Sequence, residues 1–131
     1  MAEASYPQDL LYHPEHDWVR IDAGDDTLAS FGITWYAQDQ LGEVVFFEPP
    51  SVGTNVSAGD SYTEVESVKA VSDVVAPLSG EIVEVNEALT DEPEAINDDP
   101  YGAGWLVKVR LSDPSEKDGL LDAAAYEASL G

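Results

Sequence analysis

The segment Glu64-Val65-Glu66-Ser67-Val68-Lys69-Ala70-Val71-Ser72-Asp73-Val74-Val75 decides how the rest of the chain is read. Val65 and Val68 before Lys69, and Val71, Val74 and Val75 after it, give two valine-rich, strand-like arms. Lys69 is one of three lysines and lies midway between the two valine-rich arms. Neither glycine nor proline stands at the centre, so a primed two-residue turn would be strained there. The spacing predicts a hairpin closed by a turn type that tolerates ordinary residues. A lysine at such a tip offers its amine to another protein while its backbone stays fixed, the geometry needed to receive a carboxylic acid cofactor as an amide. The plain alternative is a solvated strand lysine that discourages edge-to-edge pairing.

Outward from that hairpin the chain is punctuated by Gly53, Gly59-Asp60, Ser79-Gly80 and Asn86. Short strands separated by such residues predict a compact sandwich or barrel. The Val52–Asp60 and Pro77–Val85 segments echo each other weakly, which suits two similar halves meeting at Lys69. Upstream, Asp17–Ile21 and Thr27–Ile33 alternate around the turn Ala23-Gly24-Asp25-Asp26 and predict another hairpin, with Val19 and Ile21 on one side and Trp18 and Arg20 on the other. Thr34 is placed to cap a short helix over residues 35–41, and Gly42 to stop it. Val44–Phe47 reads as a buried strand ended by Pro49-Pro50. Downstream, Asp91–Asp99 is acidic, contains a proline and predicts irregular chain. Trp105–Leu111 predicts the last strand, with Val107, Val109 and Leu111 inward. Ser115–Leu130 predicts a C-terminal helix in two pieces, broken at Gly119, recapped by Asp122 and packed through Leu120, Leu121, Tyr126 and Leu130.

The whole chain has 131 residues, the size of one domain, and 44% hydrophobic residues supply a core. Five basic residues against 27 acidic ones leave a net charge of −22, a field that repels phosphate backbones and anionic lipid. Nucleic acid and membrane partners are therefore not expected. There is no cysteine, which removes disulfides and thiolate chemistry. No apolar run approaches the roughly 18 residues of a membrane span. The first 30 residues lack the marks of a secretion or transit signal, so an intracellular, cytoplasmic protein is expected.

Catalytic kits are largely missing. His13 and His16 are the only histidines, and Pro14 between them argues against a helical zinc motif. Gly102-Ala103-Gly104 lacks the third glycine of a dinucleotide loop and precedes a strand. Asp22–Asp26 does not follow the alternation of a calcium-binding loop. No enzyme and no metal site are predicted.

Several blocks occur together and in order. They are Tyr12-His13-Pro14-Glu15-His16-Asp17-Trp18-Val19, Gly32-Ile33-Thr34 with Tyr36-Ala37-Gln38 and Leu41-Gly42-Glu43-Val44-Val45-Phe46, and Glu66-Ser67-Val68-Lys69-Ala70 with Ser72-Asp73. After these come Pro77, Ser79-Gly80, Asn86, Asn97, Pro100-Tyr101-Gly102, Gly104-Trp105, Leu120-Leu121, Tyr126 and Leu130. In this set, which spans most of the chain, the sequence resembles the H-protein family of the glycine cleavage system. Asp17 stands where the family more often has glutamate, Gln40 where some members have histidine, and Pro49 where leucine is commoner.

The resemblance implies a mainly β, barrel-sandwich hybrid fold of the lipoyl-domain kind, one domain over residues 1–131, with the modified lysine at a hairpin tip, a short helix near 35–41 and a C-terminal helix. It implies lipoic acid in amide linkage on Lys69, added by a lipoyl ligase or by octanoyl transfer and sulfur insertion. Val68 and Ala70 beside Lys69 favour a lipoyl over a biotinyl group. It implies a non-catalytic shuttle, most simply a monomer. The arm would take the aminomethyl group from the pyridoxal-phosphate-dependent glycine decarboxylase, pass it to the aminomethyltransferase and tetrahydrofolate, and be reoxidised by dihydrolipoyl dehydrogenase. Asp17 and Asp73 fall in segments that would line the cleft sheltering the loaded arm, where carboxylates suit a protonated amine. Glu66, three residues before Lys69, is a candidate for recognition by the lipoylating enzyme. For all three acids an ordinary turn or solvated carboxylate is the competing reading. Two other functional readings remain: a relay that donates lipoyl groups to other carriers, and a scaffold that only binds partners.

Overall fold

The computed structural model describes residues 6–130, so residues 1–5 and 131 of the expected domain lie outside the described residues. Two antiparallel sheets pack together without closing into a barrel. The larger holds β1 (Leu11–His13), β2 (Asp17–Asp22), β3 (Asp25–Ile33), β9 (Val107–Leu111), β8 (Gly80–Val85) and β5 (Asn55–Val56), in that order across the sheet. The smaller holds β4 (Val44–Phe47), β6 (Ser61–Ser67) and β7 (Val71–Val75). Between them lies the main core, in which Val19, Phe31, Phe47, Val65, Leu78, Ile82 and Val109 are fully buried.

The chain from β5 to β8 is one nested hairpin. β6 pairs with β7, with Glu66 opposite Val71 and Glu64 opposite Asp73, and β5 pairs with β8, with Asn55 opposite Glu81. The two segments that echo each other in sequence therefore face each other, with Lys69 at the apex. The alternation of β6 puts Val65 inward and Glu64 and Glu66 outward, as its period of two requires.

β2 is covered on both sides. Val19 faces the core between the sheets, while Trp18 packs in a second cluster with Leu10, Tyr12, Tyr101 and Tyr126. Gly32, opposite Trp18, is what makes room: a Cβ there would stand 2.5 Å from the indole ring. The second cluster is roofed by α4 (Ala123–Leu130), capped by the Asp122 carboxylate accepting from Ala125 N–H at 2.8 Å. The first piece of the expected C-terminal helix is a 3₁₀ turn over Pro114–Gly119, and Leu121 is not helical but exchanges two 2.8 Å backbone hydrogen bonds with Tyr12.

Three further expectations change: Val44–Phe47, read as a buried strand, buries only Val44 and Phe47, because its sheet is covered on one face and leaves Val45 and Phe46 in solvent. The last strand begins at Val107 rather than Trp105. The acidic stretch Asp91–Asp99, expected to be irregular, contains the single-turn helix α3 (Ala95–Asp98), and a second single turn, α2 (Ala88–Asp91), runs into its start. Their reason is tertiary: Leu89 and Ile96 are buried in the main core, and a helical turn at each delivers them there.

Candidate functional site

The tip of the β6–β7 hairpin is a tight turn over residues 67–70. Ser67 N–H donates to Ala70 O at 2.8 Å, and the Ser67 hydroxyl oxygen accepts from the N–H groups of Lys69 (3.3 Å) and Ala70 (3.1 Å). Among the described residues only His16 has positive φ without being glycine, so Val68 and Lys69 turn the chain at ordinary backbone angles. Serine at the first position of such a turn is what lets it do without glycine. Val68 N–H also donates to Glu43 O at 3.1 Å, tying the tip to the segment before β4.

Lys69 is exposed, and its side chain runs beside Gly42, where an added Cβ would lie 3.4 Å from Lys69 Cε. Gly42 ends α1 (Trp35–Leu41) at φ 81°, a conformation that favours glycine. Thr34 caps α1 by accepting from Ala37 N–H at 3.2 Å. Asn97, carried by α3, holds this junction: its amide donates to Gly42 O and to Gln38 Oε1, both at 2.9 Å, and its Oδ1 accepts from Val44 N–H at 2.8 Å. The acidic stretch that looked irregular thus clamps the ground on which Lys69 rests.

Beside the tip opens a cleft of about 320 Å³, walled by the β1–β2 turn, α1 and β7. Ile33, Leu41, Val65, Val71 and Val74 give it an apolar flank, and Glu15, His16 and Asp17 a polar end. Asp17 is 2% exposed and its Oδ2 has no hydrogen-bond partner. Burial pushes this carboxyl well above the ordinary carboxylate range, and Glu15 adds to the shift. Tyr62 reaches the same interior from β6, its buried hydroxyl also unpartnered, with an ionisation raised by burial and then by Asp17.

His16 stands at φ 75° and closes the β1–β2 turn by donating its N–H to His13 O at 2.9 Å. Its Nδ1 lies 2.7 Å from Tyr126 Oη, and the same hydroxyl lies 2.8 Å from Thr34 Oγ1. The C-terminal helix therefore braces the cleft's polar end and the start of α1 together. Burial lowers the His16 pKa, with Glu15 opposing. His13 is occupied elsewhere, its Nδ1 accepting from Glu15 N–H at 3.0 Å.

Of the acids singled out in the sequence, Asp17 and Asp73 both border the cleft, Asp17 buried within its wall and Asp73 exposed at its rim. Glu66 is half-buried on the outer side of β6, opposite Phe46 and Val71, and does not line the cleft. Gln40 does line it, whereas Pro49 does not. Sequence reading missed the turn-closing role of Ser67, the Asn97 clamp and the contribution of Tyr62. Only Ser67 carried a local signal, through its place at the first turn position.

The sequence profile of the family described as glycine cleavage H-protein matches residues 10–131. The chain belongs to the glycine cleavage H-protein family. It is 55% identical over 121 residues to the glycine cleavage system H protein of Halorhodospira halophila, covering 92% of each chain. It is 53% identical over 125 residues to that of Symbiobacterium thermophilum, covering 95% of each. A crystal structure of the H protein from Mycobacterium marinum superposes with a TM-score of 0.85 at 47% identity, covering 95% of this chain and 98% of that one. Family membership makes the chain a carrier component of a multienzyme system rather than an enzyme.

Proposed function

We propose that Lys69 is the point at which lipoic acid is attached through an amide, and that this one-domain chain shuttles between the enzymes that cleave glycine. The observation that carries the proposal is an exposed lysine on a backbone fixed by Ser67, directly beside a cleft with an apolar flank and a carboxyl end. The other two lysines are half-buried, and Lys108 is paired with Glu84 at 3.8 Å. The residues suit the group: methylenes fit against Ile33, Leu41 and Val71, and a cationic end fits against Glu15 and Asp17. When bound, the lipoyl group supplies the redox-active sulfur pair that a cysteine-free chain lacks.

The chain's own residues then have three tasks. Ser67, Glu43 and Asn97 hold the attachment point still. The apolar flank excludes water from whatever the cleft shelters. Asp17, buried without a partner for Oδ2, is poised for a protonated amine, because a cation arriving there offsets the cost of ionising a buried carboxyl. Asp73 at the rim adds a second negative charge. The partners in this reading are glycine decarboxylase, aminomethyltransferase and dihydrolipoyl dehydrogenase, with a lipoyl ligase or octanoyl transferase acting beforehand. A bacterial cytoplasmic location accompanies it, supported by the bacterial relatives. Lys69→Arg keeps the charge but cannot form the amide, so glycine–bicarbonate exchange with purified partners is expected to vanish while the thermal midpoint stays unchanged. Retained exchange would overturn the attachment site.

A further inference from the structure

The cleft takes one side of the hairpin, and Val71 and Asp73, on the edge strand β7, border both sides. On the other side, the outer face of the three-stranded sheet carries an apolar patch around the tip. Val45 and Phe46 on β4, Val68 at the turn and Val71 on β7 are 46%, 45%, 68% and 58% exposed. The register sets Phe46, Glu66 and Val71 in one row across the three strands. The next row is acidic: Glu64 is opposite Asp73, and Glu48 adjoins it through its N–H to Glu64 O at 3.2 Å.

These carboxylates crowd one another. Glu64 and Asp73 face each other across the strands, and the Glu64 pKa is raised by desolvation and then by the neighbouring charges of Asp73, Glu48 and Glu66. Among the described residues the ion pairs, Lys108–Glu84 and Arg110–Asp25, lie on the other sheet, and none involves these carboxylates. An apolar patch of this kind bordered by unneutralised charge is suited to a partner with an apolar contact inside a basic rim.

We propose that this face is the docking surface of the enzyme that transfers an activated lipoyl group to Lys69. The inference rests on the reading of Lys69 as the attachment point and adds where its modifying enzyme sits. Reach selects this occupant. The bare amine lies against Gly42 at the end of four methylenes, so an enzyme acting on it must cover the tip and the surface beneath it. Enzymes that act at the far end of an attached arm need not. In the step itself, the deprotonated Lys69 Nζ attacks the carbonyl carbon of a lipoyl adenylate made from lipoate and ATP. The carbonyl–phosphate C–O bond breaks, AMP departs with its electron pair, and the amide nitrogen releases its extra proton to solvent.

The test uses the full chain with a purified lipoyl ligase, lipoate and ATP. The double variant Glu48→Lys/Glu64→Lys is expected to raise KM for the chain about tenfold at low salt, with kcat little changed and the difference shrinking as sodium chloride is added. Phe46→Ala is expected to raise KM severalfold without that salt dependence. Asp118→Lys, a reversal at an exposed position off this face, is expected to leave KM alone. Once fully lipoylated by prolonged incubation, the face variants are expected to support glycine–bicarbonate exchange at the parent rate. An unchanged KM in folded variants overturns the proposal. So does an exchange defect as large as the lipoylation defect, which would assign the face to a downstream enzyme, or a change in oligomeric state, which would assign it to a second copy. If the parent chain is not modified on Lys69 at all, the attachment reading fails first, and the two failures are told apart.

Discussion

The two sheets of this protein treat large side chains in opposite ways. The six-stranded sheet is covered on both faces at its β1–β2 end, with Val19 in one core and Trp18, Tyr12 and Tyr126 in the other. The three-stranded sheet is covered on one face only and leaves Val45, Phe46 and Val71 in solvent. The large sheet anchors the fold, and the small one presents Lys69 together with the surface around it. A carrier needs both: a rigid base that holds the hairpin tip still, and an uncovered side that another protein can approach.

The sharpest way to break this contrast is to remove one phenylalanine from each sheet. Phe31→Ala, fully buried on β3, is expected to cost about 3–5 kcal/mol in denaturant unfolding, the range for deleting a core aromatic. Phe46→Ala is expected to cost less than about 1 kcal/mol, because nearly half of the residue already faces water. Comparable losses would mean that the small sheet is as much anchor as the large one.

A smaller effect distinguishes the two cleft carboxyls. Asp17 has its pKa raised by burial, so the folded state holds its proton more tightly than the unfolded chain. A raised carboxyl therefore costs stability increasingly as pH rises from about 4 toward the folded-state value, and costs nothing below that window. Asp17→Asn is expected to raise the thermal midpoint at pH 7 and to lose that advantage by pH 4. His16, lowered by burial, works in the opposite sense, losing stability as pH falls below its ordinary range, and it largely cancels in the difference between variant and parent. The same substitution at Asp73, exposed at the rim, is expected to move the midpoint little. An Asp17→Asn advantage independent of pH would show that the carboxyl is not held in a desolvated site.

How much of this was legible in sequence follows from the range of each interaction. The β6–β7 hairpin and α1 announce themselves locally, through valine-rich arms on either side of Lys69 and through Thr34 and Gly42 at either end of the helix. Family resemblance is what singles out Lys69 as an attachment candidate, since spacing alone left it open to a plain strand reading. The rest depends on residues far apart in the chain. His16 meets Tyr126 across 110 positions, and Asn97 reaches Gly42 across 55. Helix α3 escaped because nothing in an acidic stretch with a proline favours a helix until Ile96 finds the core, and α2 because a single turn carries no periodic signal until Leu89 does the same. Asp17 was recognised as a candidate, but its burial without a partner appears only once Tyr62 and the β1–β2 turn close around it.

The most direct measurement is an intact mass of the chain after incubation with a lipoyl ligase, lipoate and ATP, followed by peptide mapping. The expected result is a gain of one lipoyl group, located on Lys69, with none on Lys108 or Lys117. An unmodified chain, with the ligase active on a control carrier, or a group found on another lysine, would contradict the assignment of Lys69 as the attachment point.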